Sequence, residues 1–174
     1  MSNHFARSKR KEEQIKSALS LNESLGKDCS LLVGQVMTRV PSTVLPEDSV
    51  LDIINLFHEK EFRHLLVVEA DGHFRGIVSD RDVLRWLGPE GRPNREVVAA
   101  LKVEQVMSSD VVTIGSKCLL SDAVDIMIRE GINCLPVIEG GNLEGIITST
   151  DMLLALKTFM ATHASPIPIS SESV

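Results

Sequence analysis

Aromatic residues are nearly absent from this 174-residue chain, which has one tryptophan, no tyrosine and an aromatic content of 3%. A buried core must therefore be aliphatic, since hydrophobic residues still make up 43% of the sequence. Binders of single-stranded nucleic acid usually stack bases on aromatic side chains, so the composition argues against that function. The length suits one compact domain or two halves that share a core, and we expect no separate catalytic domain.

Cysteines are few, and the three present, Cys29, Cys118 and Cys134, have no close spacing. This set predicts neither a disulfide framework nor a zinc site and is typical of a reducing cytoplasm. Apolar runs of about 18 residues are missing and the N-terminus is polar, so we expect neither a membrane span nor a signal peptide.

Positive charge is scarce outside the N-terminal region. The net charge is -6, and residues 1–33 carry six basic against four acidic side chains, which leaves -8 on the remainder. A nonspecific nucleic-acid binder normally has a basic main body, so nucleic-acid binding is not expected. We interpret the basic cluster as a solvated flexible end, with contact to an anionic partner as the alternative. The cluster consists of Arg7, Lys9, Arg10 and Lys11.

The chain does contain an internal repeat. Two segments occur twice: Gly76-Ile77-Val78-Ser79-Asp80-Arg81-Asp82 returns as Gly145-Ile146-Ile147-Thr148-Ser149-Thr150-Asp151, and Gln35-Val36-Met37 returns as Gln105-Val106-Met107. One deletion keeps the register, and it shortens Ala70-Asp71-Gly72 to Gly140-Gly141 in a turn, where a length change costs little. The repeat predicts two equivalent units with two equivalent polar sites.

Hydrophobic spacing assigns the elements within each unit. Helix spacing occurs twice, at Val50, Ile53, Ile54 and Phe57 and again at Leu120, Ala123, Val124 and Met127. Short apolar runs at 65–68 and 135–138, each followed by a glycine turn and a second run, predict β-hairpins. A short first strand and a last helix complete the order β-α-β-β-α, twice, which is an α/β (α+β) fold.

Composition shifts predict the boundaries between these units. We assign a charged, partly helical segment (1–32), a first repeat (33–88), a linker (89–102), a second repeat (103–160) and a tail (161–174). Glycine and proline in the linker interrupt regular structure, although residues 95–102 could form one helical turn. The tail is rich in serine and proline and is expected to be disordered.

The combination of motifs resembles a tandem pair of CBS (cystathionine β-synthase) domains, as in a stand-alone CBS domain-containing protein. The resemblance rests on the Val-Met openings, the Leu-Pro-Val strand and the Gly-Ile-[Val/Ile]-[Ser/Thr]-x-x-Asp closings, and it covers roughly residues 33–160. It implies two pseudo-symmetric repeats packed as a Bateman-type module. Leu66, at the position of Pro136 in the second copy, departs from the family pattern.

The residues alone leave two interpretations of Ser79-x-x-Asp82 and Thr148-x-x-Asp151. A hydroxyl followed three residues later by a carboxylate forms a capping box, which stabilises a helix start by roughly 1 kcal/mol. Alternatively, Asp82 and Asp151 accept hydrogen bonds from the vicinal hydroxyls of a ribose, while the hydroxyl residues and the helix N-terminus attract phosphate. The two roles are compatible.

The resemblance favours the second interpretation, because CBS domains hold adenosine-containing ligands in this way, in clefts between the repeats. Transferred to this sequence, it places the base against Thr43-Val44 or Thr113-Ile114, with Pro136 and Ile146 as apolar walls. The implied ligand-binding residues are therefore Asp82, Asp151, Ser79, Thr148, Arg81, Thr43, Val44, Thr113, Ile114, Arg63, His64, Pro136 and Ile146.

Charge distinguishes the two copies. The first copy has Arg81 inside its motif and Arg63-His64 before its strand, where the second has Thr150 and Asn133-Cys134. Because a guanidinium makes bidentate contacts to phosphate, we predict that the first site binds polyanionic ligands more tightly. A histidine beside a strand start is more often a hydrogen-bonded structural residue, so for His64 phosphate contact or pH sensing is the alternative. Whether Arg63 or His64 serves a ligand held by the other repeat's aspartate stays open.

No catalytic arrangement of Ser, His, Asp or Cys and no Walker-type glycine loop occurs in the sequence, so we expect neither an enzyme, nor a catalytic cofactor, nor a metal site. We predict a cytoplasmic regulatory module that senses AMP, ADP, ATP, NAD or S-adenosylmethionine and passes a conformational change to an effector protein. The alternative is a structural dimerisation module with degenerate sites. Apolar surface positions at Leu56, Ile126 and Ile128 predict a homodimer, unless they complete the internal core.

Overall fold

The computed structural model describes residues 3–24, 30–60, 63–87 and 95–163. The described helices are α1 (Asn3–Ser24), α2 (Val33–Val36), α3 (Val50–Lys60), α4 (Asp80–Leu87), α5 (Arg95–Ala100), α6 (Leu120–Glu130) and α7 (Ser149–His163). The strands are β1 (Thr43–Val44), β2 (His64–Val68), β3 (Phe74–Ser79), β4 (Cys134–Glu139) and β5 (Asn142–Thr148). Residues 89–94 of the predicted linker and residues 164–174 of the predicted tail lie outside the described ranges.

Both repeats have the predicted order of elements. In the first, β1 is parallel to β2 and β2 is antiparallel to β3, with α3 and α4 following β1 and β3. In the second, the first strand is reduced to one bridge between Ile114 and Val137, while β4 and β5 form the hairpin. Gly72 and Gly141 turn the hairpins with φ of 90° and 84°, which glycine adopts without steric cost.

The opening segments of the two repeats, which contain Val36-Met37 and Val106-Met107, are exchanged. Thr38, which follows the first Val-Met pair, exchanges backbone hydrogen bonds of 2.8 and 3.0 Å with Ile146 of β5. Ser108, which follows the second pair, exchanges bonds of 2.8 and 3.0 Å with Ile77 of β3. Each repeat's opening segment therefore lies on the hairpin of the other repeat.

Gly76 and Gly145 occupy the positions where these exchanged segments approach most closely. A Cβ added to either residue would come under 3.0 Å from the carbonyl oxygen of Ser108 or Thr38, respectively. Only glycine leaves room for a backbone at that distance. The first residue of the repeated motif is thus required by packing against the other repeat.

The aliphatic cores follow the same exchange. The core formed by α3, β2 and β3 includes Val103 and Val106 from the second opening segment. The core formed by α6, β4 and β5 includes Val36 and Met37 from the first. A third, smaller cluster of Leu66, Cys134 and Ile146 contains residues of both hairpins, so the two repeats pack against each other there.

Helix α1 differs from the expected flexible end. Ile15 and Leu19 are wholly buried in the core of the second repeat, and Asn22 donates a hydrogen bond of 3.0 Å to the carbonyl oxygen of Ser30. An ion pair of 3.3 Å joins Glu12 to Lys157 on α7. The interpretation of the basic cluster as a solvated end is therefore wrong for Lys11, whose side chain is 14% exposed and pairs with Asp151.

Candidate ligand-binding sites

The first candidate site is built where β3 ends and α4 begins. Oδ2 of Asp82 accepts hydrogen bonds from the Ser79 amide at 2.9 Å and the Ser79 hydroxyl at 2.6 Å. The Asp82 amide donates back to the Ser79 hydroxyl at 3.2 Å, which completes the predicted capping box. Oδ1 lies 3.8 Å from Nη1 of Arg85, whose side chain is 83% exposed. Such an exposed pair is weak, so a ligand hydroxyl could replace it.

The second candidate site repeats this geometry between β5 and α7. Oδ2 of Asp151 accepts bonds from the Thr148 amide at 2.8 Å and the Thr148 hydroxyl at 2.9 Å. Its Oδ1 accepts a hydrogen bond from Nζ of Lys11, which also donates to Oγ1 of Thr38 at 2.8 Å. The second site therefore contains a cation from α1, which differs from the neutral environment expected from the sequence.

Each site combines residues of both repeats. Thr38 of the first opening segment pairs with Ile146 and shares Lys11 with Asp151. Ser108 of the second opening segment pairs with Ile77 on β3, the strand that leads to Asp82. Burial raises the pKa of Cys134 to about 12, with a smaller contribution from the negative charge of Asp82. A residue at the start of β4 therefore lies close to the first repeat's aspartate. Sequence reasoning missed Thr38 and Ser108, although a hydroxyl follows Val-Met in both copies.

The basic residues of the first copy lie beside the acidic residues of their own repeat. Arg63 Nε is 3.9 Å from Oδ2 of Asp80, and both Arg63 and Arg81 are exposed. His64 is half-buried opposite Ser79 in the strand register. Burial lowers the pKa of His64, while the nearby Asp80 and Asp82 carboxylates partly oppose this effect. The imidazole is therefore mainly neutral at neutral pH.

The residues expected against the base are mostly buried in the ligand-free chain. Val44, Ile114, Pro136 and Ile146 are buried, whereas Thr43 and Thr113 are exposed. The structure brings the second-repeat residues together, because the Ile114 amide donates to the Pro136 carbonyl at 3.1 Å and Pro136 pairs with Ile146. In the first repeat Leu66 takes the place of Pro136, with Thr43 as its partner on β1.

A wide apolar groove lies away from both aspartates, between α6 and α7. Its volume is about 860 Å³. Leu119, Ile128, Leu153, Leu156 and Phe159 line it and are exposed. Ile128 is exposed as predicted, whereas Leu56 and Ile126 are partly buried against the cores, which is the alternative stated for them. The groove between α6 and α7 thus gathers several of the exposed apolar residues, while Leu84, Trp86 and Val97 are exposed on α4 and α5.

Across residues 3–24, 30–60, 63–87 and 95–163, no helix is both long enough and apolar enough to cross a membrane. The same residues contain no group of three or more His, Cys, Asp or Glu side chains that could hold a metal ion.

Comparison with known proteins decides the family. The CBS domain model matches the chain twice, over residues 33–89 and 103–158. The chain belongs to the CBS domain family. The crystal structure of AcuB from Vibrio cholerae is similar to this CBS pair, with a TM-score of 0.67 and 28% identity over 78% of this chain and 98% of that one.

Two further proteins are similar to this chain. The CBS domain pair of protein MJ0100, solved in complex with 5′-methylthioadenosine and S-adenosyl-L-methionine, has a TM-score of 0.63 and 20% identity over 76% of this chain and 98% of that one. At that identity it shows the fold alone. Inosine-5′-monophosphate dehydrogenase of Nitrosopumilus maritimus is 32% identical over 68% of this chain, which spans 23% of that enzyme.

Proposed function

We propose that this CBS pair is a regulatory module that binds an adenosine-containing ligand at the two candidate sites. The observation that carries the proposal is that the two carboxylate oxygens of Asp82 and of Asp151 have different partners. In each, Oδ2 caps a helix, while Oδ1 is directed to a side chain outside the cap. A carboxylate oxygen has lone pairs enough to accept both hydroxyls of a ribose, so ligand binding leaves the cap intact.

The relatives support adenosine as the common part of the ligand. Both small molecules in the MJ0100 complex contain adenosine, and that CBS pair has the same fold. AMP, ADP, ATP, NAD and S-adenosylmethionine share this group and differ in charge. Arg63 and Arg81 near the first site favour a phosphate-bearing ligand there, because exposed guanidinium groups bind phosphate through paired hydrogen bonds.

The ligand acts by shifting the population of two arrangements of the repeats. A ligand shifts such an equilibrium only by its difference in affinity for the two arrangements, and a coupling of about 1–3 kcal/mol is typical. The exchanged opening segments give the ligand contacts with both repeats, which supports this mechanism. The output goes to an effector protein in the cytoplasm, where the thiols of Cys118 and Cys134 stay reduced.

Thermal unfolding with the five adenosine ligands named above tests the proposal. At a hundredfold excess over Kd, a ligand of the folded state stabilises it by about 2.7 kcal/mol and raises the midpoint. We expect Asp82→Asn combined with Asp151→Asn to abolish this rise. Asp122→Asn is the matched control, because Asp122 caps α6 through the Leu119 amide at 3.1 Å, away from both sites. If none of the five ligands moves the midpoint, the proposal is wrong.

We also propose that two copies pair through the groove between α6 and α7. Its exposed leucine, isoleucine and phenylalanine side chains form a continuous apolar surface, which is unusual for a monomer. Sedimentation velocity is expected to give a dimer for the wild type and a monomer for Leu153→Glu. Val40→Glu, at an apolar residue outside the groove that is 87% exposed against 66% for Leu153, should remain dimeric. A monomeric wild type would rule out the pairing.

A further inference from the structure

We propose that Lys11 competes with the ligand for Asp151 in the second site. The lysine holds the carboxylate until an adenosine ligand displaces it. This inference deepens the proposed function and rests on it. It assigns a regulatory role to α1, which precedes both CBS domain matches.

The contact between Lys11 and Asp151 occupies the carboxylate oxygen that the proposed ligand needs. Nζ of Lys11 binds Oδ1 of Asp151 and Oγ1 of Thr38, and the side chains of Lys11 and Asp151 are only 14% and 10% exposed. Oδ2 is already engaged in the cap with Thr148. The ribose hydroxyls and the ammonium group therefore compete for the same oxygen.

The position of Lys11 is set by the packing of α1. Ile15 lies one helical turn after Lys11 on the same face and is wholly buried in the second-repeat core. Gln14 donates a hydrogen bond of 2.8 Å to the Gln35 carbonyl, and Glu12 pairs with Lys157. These contacts fix the helix, so the lysine is aimed at the site and is not a mobile surface side chain.

The first site differs at the same position. Oδ1 of Asp82 has Arg85 at 3.8 Å, and Arg85 belongs to α4 of the same repeat and is largely exposed. The Asp82 side chain is 18% exposed, which makes it more accessible than that of Asp151. The two sites are therefore unequal without ligand: Oδ1 of Asp82 lies near an exposed arginine, whereas Oδ1 of Asp151 is bound by Lys11 of α1.

Displacement of Lys11 couples the second site to α1. Coupling between two binding events is reciprocal. If docked α1 lowers the affinity for the ligand by some factor, bound ligand lowers the equilibrium constant for docking of α1 by the same factor. The N-terminal part of α1 thereby becomes the element whose contacts report occupancy of the second site.

Titration calorimetry with adenosine tests this inference in an Asp82→Asn background, where only the second site keeps its carboxylate. Adenosine is the probe because it has no phosphate that a lysine could bind. Adding Lys11→Met, or Lys11→Gln as a second neutral variant, is expected to tighten binding at least about fivefold, the lower end of typical couplings. Lys16→Met is the matched control, since Lys16 lies on the same helix, is 55% exposed and pairs with Glu12 at 3.6 Å.

The outcomes separate this inference from the proposed function. Unchanged or weaker binding after Lys11→Met and Lys11→Gln would overturn the competitor role. Binding by the wild type but by none of the Asp82→Asn variants would also overturn it, while leaving the first site as the ligand site. If neither the wild type nor any variant binds adenosine, the proposed function fails, and the competitor role fails with it.

Discussion

At the scale of single residues, Asp82 and Asp151 each cap a helix with one carboxylate oxygen, and the proposed function assigns the other oxygen to the ligand. The cap through Oδ2 is worth about 1 kcal/mol per helix. An alanine at either position would remove both roles at once. Asparagine keeps an acceptor for the cap and loses the charge, which is why it isolates the proposed contact with the ligand.

Gly145 provides a prediction at this scale. Gly145→Ala is expected to lower the free energy of unfolding by about 2–3 kcal/mol, because its Cβ would collide with the Thr38 carbonyl oxygen. Gly115→Ala is the control, since its Cβ would meet neighbours at an ordinary 3.5 Å, and a change within about 0.5 kcal/mol is expected. Urea unfolding measures both. Equal effects of the two substitutions would contradict the close packing of the exchanged segment.

The sequence allowed prediction of the local part of each site but not of the residues brought in by tertiary packing. Ser79, Asp82 and their second-repeat counterparts lie within one motif, so their mutual geometry follows from a helix start. Lys11 and Asp151 are 140 residues apart, and no local pattern links them. Thr38 is next to Asp151 only because the opening segments are exchanged.

At the scale of elements, the helices and hairpins were predicted because each leaves a periodic pattern in its own residues. The confirmed examples include α3, α6 and both glycine turns. The exchange was not predicted, because the opening segments form only α2 and a 3₁₀ turn at Val103–Gln105, too short for a period. The docking of α1 was missed for another reason: its few apolar residues are outnumbered by charged ones.

Docking of α1 leads to a second prediction. Leu19→Ala is expected to destabilise the protein by about 2–4 kcal/mol, because Leu19 is 1% exposed and its loss leaves a cavity in the second-repeat core. Leu21→Ala, two residues further along α1, changes a side chain that is 55% exposed and should cost under about 0.5 kcal/mol. Thermal or urea unfolding compares them. Similar small effects of both would show that α1 is not docked.

At the scale of the whole molecule, α1 breaks the pseudo-symmetry of the two repeats. Their hairpins and helix caps match closely, yet α1 packs on the second repeat and reaches its aspartate. The apolar groove between α6 and α7 also belongs to the second repeat. A duplicated sequence has therefore produced two sites that share a helix cap but differ in the cation next to the second carboxylate oxygen.

The central claim is that the aspartates hold the hydroxyls of a ribose, and a calorimetric comparison of adenosine with 2′,3′-dideoxyadenosine tests it most directly. A hydrogen bond to a charged group contributes about 1.5–3 kcal/mol, so the wild type should bind adenosine at least about tenfold more tightly. This preference should vanish when Asp82→Asn and Asp151→Asn are combined. Equal binding of the two nucleosides by the wild type, or a preference that survives both substitutions, would contradict the claim.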